Sequence, residues 1–255
     1  MTLRLLDAGD AAFTVEFGET IAPALLAAVQ ALDAGIARAQ AAGALPGLIE
    51  TMPTFRSLTV FFDPLRTGRA ELIEALQPLF KAAEHAPPVD GRRWRLPVCY
   101  EGEAGPDLAA TAAAAGTTTD EVVALHSGTE FRVYMLGFMP GFPFMGDLPE
   151  RLRLPRRTEP RVRVPAGSVA IAGGLTAIYP WESPGGWHLL GRCPVRLFDA
   201  ASESPSLLAV GDRVRFQPVP MAEFRRLETA VQAREVDPAC WRADAPATEP
   251  RVHGP

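Results

Sequence analysis

The sequence predicts an α+β protein of two domains, a small α+β unit followed by a barrel of short β-strands. In the first third of the chain, segments that alternate apolar and polar residues are interspersed with two segments of helical periodicity. From residue 130 onward, short apolar runs are separated by glycine and proline turns, as in sheets that close on themselves. A Pro/Gly-rich stretch at residues 85–91 separates the two patterns and predicts a linker.

The first domain is predicted over residues 1–88 as a β-α-β-β-α unit. Its strands are expected where apolar and polar residues alternate, at residues 11–17, 48–51 and 58–62, with a candidate partner strand at 3–6. Its helices are expected where apolar residues recur at helical spacing, from Pro23 to Gly43 and from Arg69 to Ala83. This order is similar to a ferredoxin-like unit.

The second domain is predicted over residues 89–235, with a Pro-rich tail at 236–255. It opens with a strand at 93–100 and a short helix at 107–115, and the pair Thr118 and Glu121 forms a capping box for a helix that ends at His126. The remaining strands are expected at residues 131–136, 168–172, 177–179, 187–190, 195–198 and 213–216. A terminal helix is expected over residues 221–233.

Composition excludes several classes of function. The chain of 255 residues is 47% hydrophobic, which is typical of a globular protein with a core. No apolar run reaches the length of a membrane span and the N-terminus lacks a signal-peptide core, so we expect a cytoplasmic protein with no membrane partner. A net charge of −5 disfavours a general nucleic-acid binder.

The sequence offers no set of residues for a metal site and no lysine suited to catalysis or nucleotide binding. The three cysteines, Cys99, Cys193 and Cys240, are far apart and suggest neither a disulfide framework nor a zinc site. His-x-x-x-His and calcium-loop spacings are absent, so no metal site is predicted. Lys81 is the sole lysine and no Walker A loop is present. Any nucleotide would therefore be bound by arginines and backbone amides, or by another chain.

Three runs place glycine and proline between aromatic or basic residues, at 136–144, 155–161 and 183–187. Such runs hold the backbone in special conformations against rings, which indicates a binding surface. Within them and beside them, Phe142, Tyr179 and Trp187 are candidates to stack on a small ligand. The alternative is that these clusters only seal the corners of the barrel.

Four arginines within eight residues predict an anion site. They are interleaved with prolines and are Arg156, Arg157, Arg161 and Arg163. Arginine presents a planar fork of donors to carboxylate or phosphate, and proline restricts the loop before a ligand binds. The alternative is a solvated basic loop paired with Glu150, Glu159 or Asp147.

His126 and Ser168 are the candidates for proton transfer and nucleophilic attack. A histidine would titrate in the useful range, although a histidine at a helix C-terminus is also favoured by the helix dipole. Ser168 lies in Pro-Ala-Gly-Ser-Val-Ala and not in a Gly-x-Ser-x-Gly elbow, so a serine at the start of a strand is the favoured interpretation.

The order of these motifs resembles the KipI / allophanate hydrolase subunit 1 family, which includes one of the subunits of bacterial 5-oxoprolinase. The matching residues are Gly137-Phe138-x-Pro140-Gly141-Phe142-Pro143, Pro155-Arg156-Arg157, Pro160-Arg161, Val164 to Ile171, Ile178-Tyr179-Pro180, Ser183 to Trp187, Gly191-Arg192 and Leu197-Phe198-Asp199. The resemblance covers about seventy positions and implies a cyclophilin-like barrel for the second domain.

The resemblance also implies a function. It points to a subunit of an ATP-dependent 5-oxoprolinase, which opens 5-oxo-L-proline to L-glutamate, acting with a KipA-like (allophanate hydrolase subunit 2) partner and a LamB/YcsF-type subunit. ATP would be a co-substrate, shared with those partners. The alternatives are a KipI-like inhibitor of a sensor histidine kinase and a carboxyltransferase subunit of urea metabolism. The latter would need biotin from another chain.

On the same analogy, His126 and Arg161 are the candidate catalytic residues. The candidate substrate- or nucleotide-binding residues are Pro140, Gly141, Phe142, Arg156, Arg157, Ser168, Thr176, Tyr179, Gly185, Gly186 and Trp187. Two positions depart from the family pattern: Leu175 stands where a glutamine is expected, and Ala177 where a glycine is expected. The loss of an amide at 175 removes a donor and an acceptor, and predicts altered specificity if that position contacts substrate.

Overall fold

The computed structural model describes residues 3–88 and 90–243. The chain divides into two compact units between residues 89 and 90, inside the Pro/Gly-rich stretch at 85–91. Each unit encloses a hydrophobic core of its own. None of the helices in the described ranges has both the length and the apolar character needed to cross a membrane.

The N-terminal unit is a four-stranded antiparallel sheet with two helices, over its described residues. Its elements are β1 (Arg4–Asp7), β2 (Ala12–Glu16), α1 (Pro23–Ala41), β3 (Leu48–Pro53), β4 (Ser57–Phe62) and α2 (Arg69–Ala83). The strand order is β1-β2-β4-β3. The α+β character and the bounds of α2 are confirmed. The ferredoxin-like assignment stays a prediction, because the unit begins with two consecutive strands and ends on a helix.

The C-terminal unit contains nine strands and three α-helices within residues 90–243. The strands are β5 (Arg93–Val98), β6 (Glu130–Leu136), β7 (Pro143–Gly146), β8 (Arg161–Val164), β9 (Ser168–Ala172), β10 (Leu175–Ile178), β11 (Ser183–Gly185), β12 (His188–Arg192) and β13 (Arg213–Pro218). The helices are α3 (Leu108–Ala114), α4 (Thr119–Gly128) and α5 (Met221–Gln232). The predicted cap of α4 is confirmed, since Glu121 N donates to Thr118 Oγ1 over 3.2 Å.

Seven of these strands form a sheet that nearly closes into a barrel, in the order β12-β9-β10-β7-β6-β13-β5. The two edge strands meet at their ends, because Cys99 and Arg192 exchange both backbone hydrogen bonds at 2.8 Å. The two remaining strands, β8 and β11, pair with each other in a separate ribbon. The predicted barrel is therefore confirmed at this level, and its cyclophilin-like assignment stays a prediction.

Three details of this unit differ from the sequence prediction. The sequence does not predict β7, β8 and β11, because strands of three or four residues are created by distant pairing partners and carry little pattern of their own. Residues 195–198 are not a strand and make one isolated bridge, from Phe198 to Ser206. The predicted tail at 236–255 begins inside the packed unit, since Trp241 is buried in the barrel core, and residues 244–255 lie outside the described residues.

Strand alternation gives one part of the barrel wall an apolar side-chain layer on each face. The residues of β9 and β10 that point into the barrel core are Val169, Ile171 and Ile178. Their neighbours along the chain belong to a second cluster on the outer face, and these are Ala170, Ala172 and Ala177. The two faces are separated by the thickness of the sheet, so residues on opposite faces cannot belong to the same site.

A buried carboxylate ties the start of β5 to the loop before β13. Asp212 is 2% exposed and accepts hydrogen bonds at 2.9 Å from the backbone N–H of Arg92 and of Ala209. It also accepts one from Trp94 Nε1 at 2.9 Å, and Arg92 Nη2 lies 3.1 Å from its Oδ2 atom. Removal of one partner from such a group leaves buried donors without an acceptor.

We therefore expect Asp212→Asn to lower the free energy of unfolding of the C-terminal unit by about 3 kcal/mol. Urea unfolding followed by tryptophan fluorescence measures this unit alone, because all four tryptophans lie in it, at positions 94, 181, 187 and 241. The matched control is Glu203→Gln on an exposed loop, expected to change stability by less than about 0.5 kcal/mol. Equal stability of the two variants would contradict the role of Asp212.

Candidate functional site

An aromatic cluster lies on the outer face of the barrel wall, against β9, β10 and β12. Phe142 is at its centre, with ring centroids 5.1 Å from Tyr179, 6.2 Å from Trp187 and 4.8 Å from Phe144. The Tyr179 and Trp187 rings meet Phe142 edge-on at interplanar angles of 89°. Phe142, Tyr179 and Trp187 are almost fully buried, so they form the floor of the site and offer little surface for stacking on a ligand.

Hydrogen bonds hold the segment 155–161 against residues 186–188, which follow β11. Arg157 N donates to the carbonyl oxygen of Gly186 over 2.8 Å, and His188 Nε2 lies 2.9 Å from the carbonyl oxygen of Pro155. Glycine is required at position 185, because a Cβ there would lie 2.4 Å from the Tyr179 hydroxyl. Two of the three Gly/Pro runs that the sequence singles out are therefore packed against each other.

Two arginines converge on one carboxylate at the start of α3. Asp107 Oδ1 accepts from Arg161 Nη2 at 2.6 Å and from Arg157 Nη1 at 3.2 Å. Its other oxygen, Oδ2, accepts from the backbone N–H of Leu189 at 2.7 Å. Burial by itself raises the pKa of Asp107, but the Arg161 and Leu189 hydrogen bonds and the two arginine charges hold it below its ordinary value. Asp107 is therefore ionised at neutral pH and fixes both guanidinium groups.

One donor of this arrangement has no partner. Nη1 of Arg161 is buried and makes no hydrogen bond with any described residue. Burial raises the pKa of the Tyr179 hydroxyl, whereas the positive charges of Arg156 and Arg161 lower it, so both guanidinium groups lie near this tyrosine. The arginine cluster, defined as Arg156, Arg157 and Arg161, thus carries two positive charges more than Asp107 neutralises and keeps an unused donor.

Comparisons with known proteins assign the chain to a family. Residues 3–208 match the family model described as carboxyltransferase domain, subdomain C and D. The chain is 45% identical over 174 residues to the B subunit of 5-oxoprolinase from Escherichia coli O157:H7, covering 68% of this chain and 79% of that protein. It is 39% identical over 232 residues to the corresponding subunit from Bacillus subtilis strain 168, covering 85% and 93%. The chain belongs to the 5-oxoprolinase B-subunit family.

A solved structure gives the same fold. The crystal structure of TTHA0988 matches with a TM-score of 0.70 and 40% identity over 82% of this chain. The match covers 40% of TTHA0988, so this chain spans well under half of that protein's length. Both curated relatives are named as subunits of 5-oxoprolinase, and the chain matches most of the length of each.

His126 is placed where it cannot transfer a proton to the arginine cluster. It is 0% exposed inside the barrel, stacked on Phe216 with centroids 4.8 Å apart. Its Nδ1 lies 2.8 Å from the Tyr100 hydroxyl and its Nε2 lies 2.9 Å from Thr176 Oγ1. Burial lowers the pKa of His126 to about 3. The expectation of a proton carrier is therefore corrected to a neutral core histidine in this member of the 5-oxoprolinase B-subunit family.

The hydroxyl groups of Thr176 and Ser168 are buried. The Thr176 hydroxyl donates to the carbonyl oxygen of Ala170 over 3.1 Å and accepts from His126 Nε2, so it belongs to the barrel interior. Ser168 is 2% exposed at the start of β9, and its carbonyl oxygen accepts from Tyr179 N over 2.9 Å. Neither hydroxyl is open to a ligand, which supports the interpretation of Ser168 as a strand-start residue.

The loop at 137–141 borders the aromatic cluster. Gly141 has a φ of +76°, and a Cβ there would lie 2.7 Å from that of Phe198, so this close approach needs glycine. Phe138 has a φ of +70°, is 68% exposed and meets the Phe142 ring edge-on at 5.4 Å. Pro140 is exposed beside it. Left-handed backbone is uncommon for a phenylalanine, and such strain often marks a functional position.

The two departures from the pattern of the 5-oxoprolinase B-subunit family lie beside the same cluster. Leu175 is half-buried and packs against the aromatic residues, and Ala177 is fully buried among them. An apolar side chain at 175 extends the apolar floor where an amide would have added hydrogen-bonding groups. These two residues can therefore affect a ligand of the arginine cluster only indirectly, through the packing of the aromatic residues beneath it.

Asp107 is the residue that sequence reasoning misses. Its local pattern indicates only the start of a helix, and the expected partners of the arginines are Glu150, Glu159 and Asp147. Asp107 is separated from Arg161 by 54 residues, and no local pattern links the two. Among the described residues no group of three histidine, cysteine or acidic side chains lies close enough together to hold a metal ion.

Proposed function

We propose that the chain is the subunit of an ATP-dependent 5-oxoprolinase whose arginine cluster binds the anionic part of 5-oxo-L-proline during its opening to L-glutamate. The observation that carries this proposal is the buried and unpartnered Nη1 of Arg161, in a guanidinium group that Asp107 fixes together with that of Arg157. A carboxylate or a developing oxyanion is the natural acceptor for such a donor. The names of the relatives supply the substrate.

Arg161 and Arg156 are the residues expected to touch the anion, and Asp107 is a positioning residue that acts through Arg161. Opening of a lactam driven by ATP places negative charge on the lactam oxygen as the ring is activated. Arginine donors that are fixed beforehand stabilise this charge without reorganising at the moment of reaction. Gly185, Gly186 and the aromatic floor hold the segment that carries the arginines.

The proposal includes ATP as co-substrate and two partner subunits. The partners are a KipA-like protein of the allophanate hydrolase subunit 2 type and a LamB/YcsF-type subunit. The support is that TTHA0988 carries additional chain beyond the match, more than half of its own length. Within the proposal the enzyme works in the cytoplasm, where ATP is available. The first unit keeps the ferredoxin-like assignment predicted from its element order, and the second keeps the cyclophilin-like assignment implied by the family resemblance.

The test is reconstitution of the activity. We expect release of ADP that depends on 5-oxoproline from the mixture of this chain with both partner subunits, and from no single subunit. Glutamate formed in the same mixture should match the ADP released. An inactive complete mixture would reject the proposal. It would favour a carboxyltransferase role in urea metabolism, which the description of the family model keeps open, or a KipI-like kinase inhibitor.

A further inference from the structure

Five arginines lie together on the outer face of three neighbouring strands, β5, β13 and β6. In the parallel pair β5–β13, Arg93 lies opposite Arg213 and Arg95 lies opposite Arg215. On the other side of β13, Arg213 lies opposite Arg132. Their chain neighbours, such as Trp94 and Val214, point into the barrel core. Arg215 lies opposite Glu130 on the same side of β13. Like charges directly opposite each other destabilise a sheet, so the two arginine pairs between β5 and β13 are not explained by folding alone.

Only part of this positive charge is neutralised. Asp90 lies 3.4 Å from Arg213 and 3.7 Å from Arg132, and Glu130 lies 3.8 Å from Arg213. Three exposed arginines form no ion pair with any residue in the described ranges 3–88 and 90–243, and these are Arg93, Arg95 and Arg215. We call these three the β5–β13 arginines. They stand out in a chain whose net charge is −5.

The β5–β13 arginines line one concave cavity of about 930 Å³, together with two further arginines, Arg92 and Arg242, and three carboxylates, Asp90, Glu130 and Asp212. This volume is within the range of small-molecule sites, which is roughly 300–1,000 Å³. The aromatic ring that lines it, Trp94, is buried and its Nε1 is bound to Asp212, so this ring is not free to stack on a base. The cavity therefore fits a compact and multiply charged anion better than an apolar molecule.

We propose that this cavity binds the triphosphate group of a nucleotide. Neighbouring strands are about 4.8 Å apart and alternate residues along a strand about 6.6 Å, so the three arginines are anchored close enough together for their long side chains to reach one chain of linked phosphates. Arginine forks pair two-point with phosphate oxygens. Since no described residue of the lining offers an aromatic face to the base, ATP and GTP bind with the same affinity. The site is distinct from the arginine cluster at Asp107, which uses other residues on another part of the barrel.

Calorimetric titration of the full chain without partners tests this site independently of the proposed enzyme activity. The probes are inorganic triphosphate, ATP, GTP and adenosine. We expect the first three to bind and adenosine not to bind, with an affinity that falls by about tenfold or more as salt is raised from roughly 50 to 200 mM. The triple variant Arg93→Ala/Arg95→Ala/Arg215→Ala is expected to bind triphosphate at least about tenfold more weakly.

The matched control is Arg225→Ala on α5, an exposed arginine outside the cavity, which is expected to bind as the unchanged chain does. The triple variant should unfold at the same or a higher urea concentration, because it removes like-charge pairs. Absence of triphosphate binding to the unchanged chain, or unchanged binding in the triple variant, would overturn the proposal. Loss of partner-subunit binding in the triple variant, without any triphosphate binding to the unchanged chain, would instead identify an acidic protein surface as the occupant.

Discussion

Arg161→Ala is expected to reduce 5-oxoproline-dependent ATP hydrolysis by the reconstituted enzyme by about 100-fold or more. Nη2 of Arg161 is fixed by Asp107 and its Nη1 is left for a ligand, so the variant removes a donor that is oriented before substrate binds. Loss of one preorganised donor to a developing oxyanion typically costs this much. The measurement is the rate of ADP release at saturating and at limiting 5-oxoproline.

Two further variants make this expectation specific. Arg163→Ala is the matched control, because Arg163 lies two residues further along β8 and pairs with Glu182 at the surface, so its activity should be unchanged. Asp107→Asn should raise KM more than it lowers kcat, since it loosens both arginines without removing them. Full activity of Arg161→Ala in a folded complex would show that the anion binds elsewhere.

Acid is expected to destabilise the C-terminal unit through His126. The pKa of this histidine is about 3 in the folded protein and about 6.5 in an unfolded chain. Between these values the unfolded chain holds one proton more than the folded one, so the free energy of unfolding falls as pH falls from about 6.5 towards 3. Above about pH 6.5, the contribution of His126 to the free energy of unfolding no longer changes with pH. The largest possible effect is about 5 kcal/mol.

The comparison that isolates His126 uses His126→Gln, which keeps hydrogen-bonding groups near Tyr100 and Thr176 but does not titrate. Urea unfolding by tryptophan fluorescence at a series of pH values from about 7 to about 4 should show a steeper loss of stability in the unchanged protein than in the variant. Equal slopes would contradict the prediction. If the variant fails to fold, an NMR titration of the unchanged protein decides instead, and a His126 signal that titrates near the ordinary histidine pKa would reject it.

The acid effect and the arginine effect act on opposite faces of the same strand. Thr176 on β10 contacts His126 in the barrel interior, and Ala177 belongs to the aromatic cluster beneath the arginines. A His126 variant should therefore change the pH dependence of stability with little change in the rate of ADP release, whereas Arg161→Ala should lower that rate and leave the pH dependence due to His126 in place. The roles of His126 and Arg161 can therefore be tested separately, the first by the pH dependence of stability and the second by the rate of ADP release.

Sequence reasoning predicts the parts of the fold that depend on local pattern. Helix α2, the cap of α4 and the strands β9 and β13 follow from periodicity and capping residues, and the domain boundary region at 85–91 follows from its Pro/Gly content. The short strands β7, β8 and β11 could not be predicted, because three or four residues carry almost no periodicity. Their pairing partners are decided by the tertiary fold.

By itself the sequence determined the composition of the site, namely the arginines of the 155–161 segment, the glycines that approach rings closely and the aromatic residues around them. Only the tertiary structure decided which of these residues meet. It selected Asp107 as the partner of Arg157 and Arg161, and it placed His126 and Thr176 behind the barrel wall. The physical reason is that a β-strand sends adjacent residues to opposite faces, so residues one position apart in sequence can belong to separate environments.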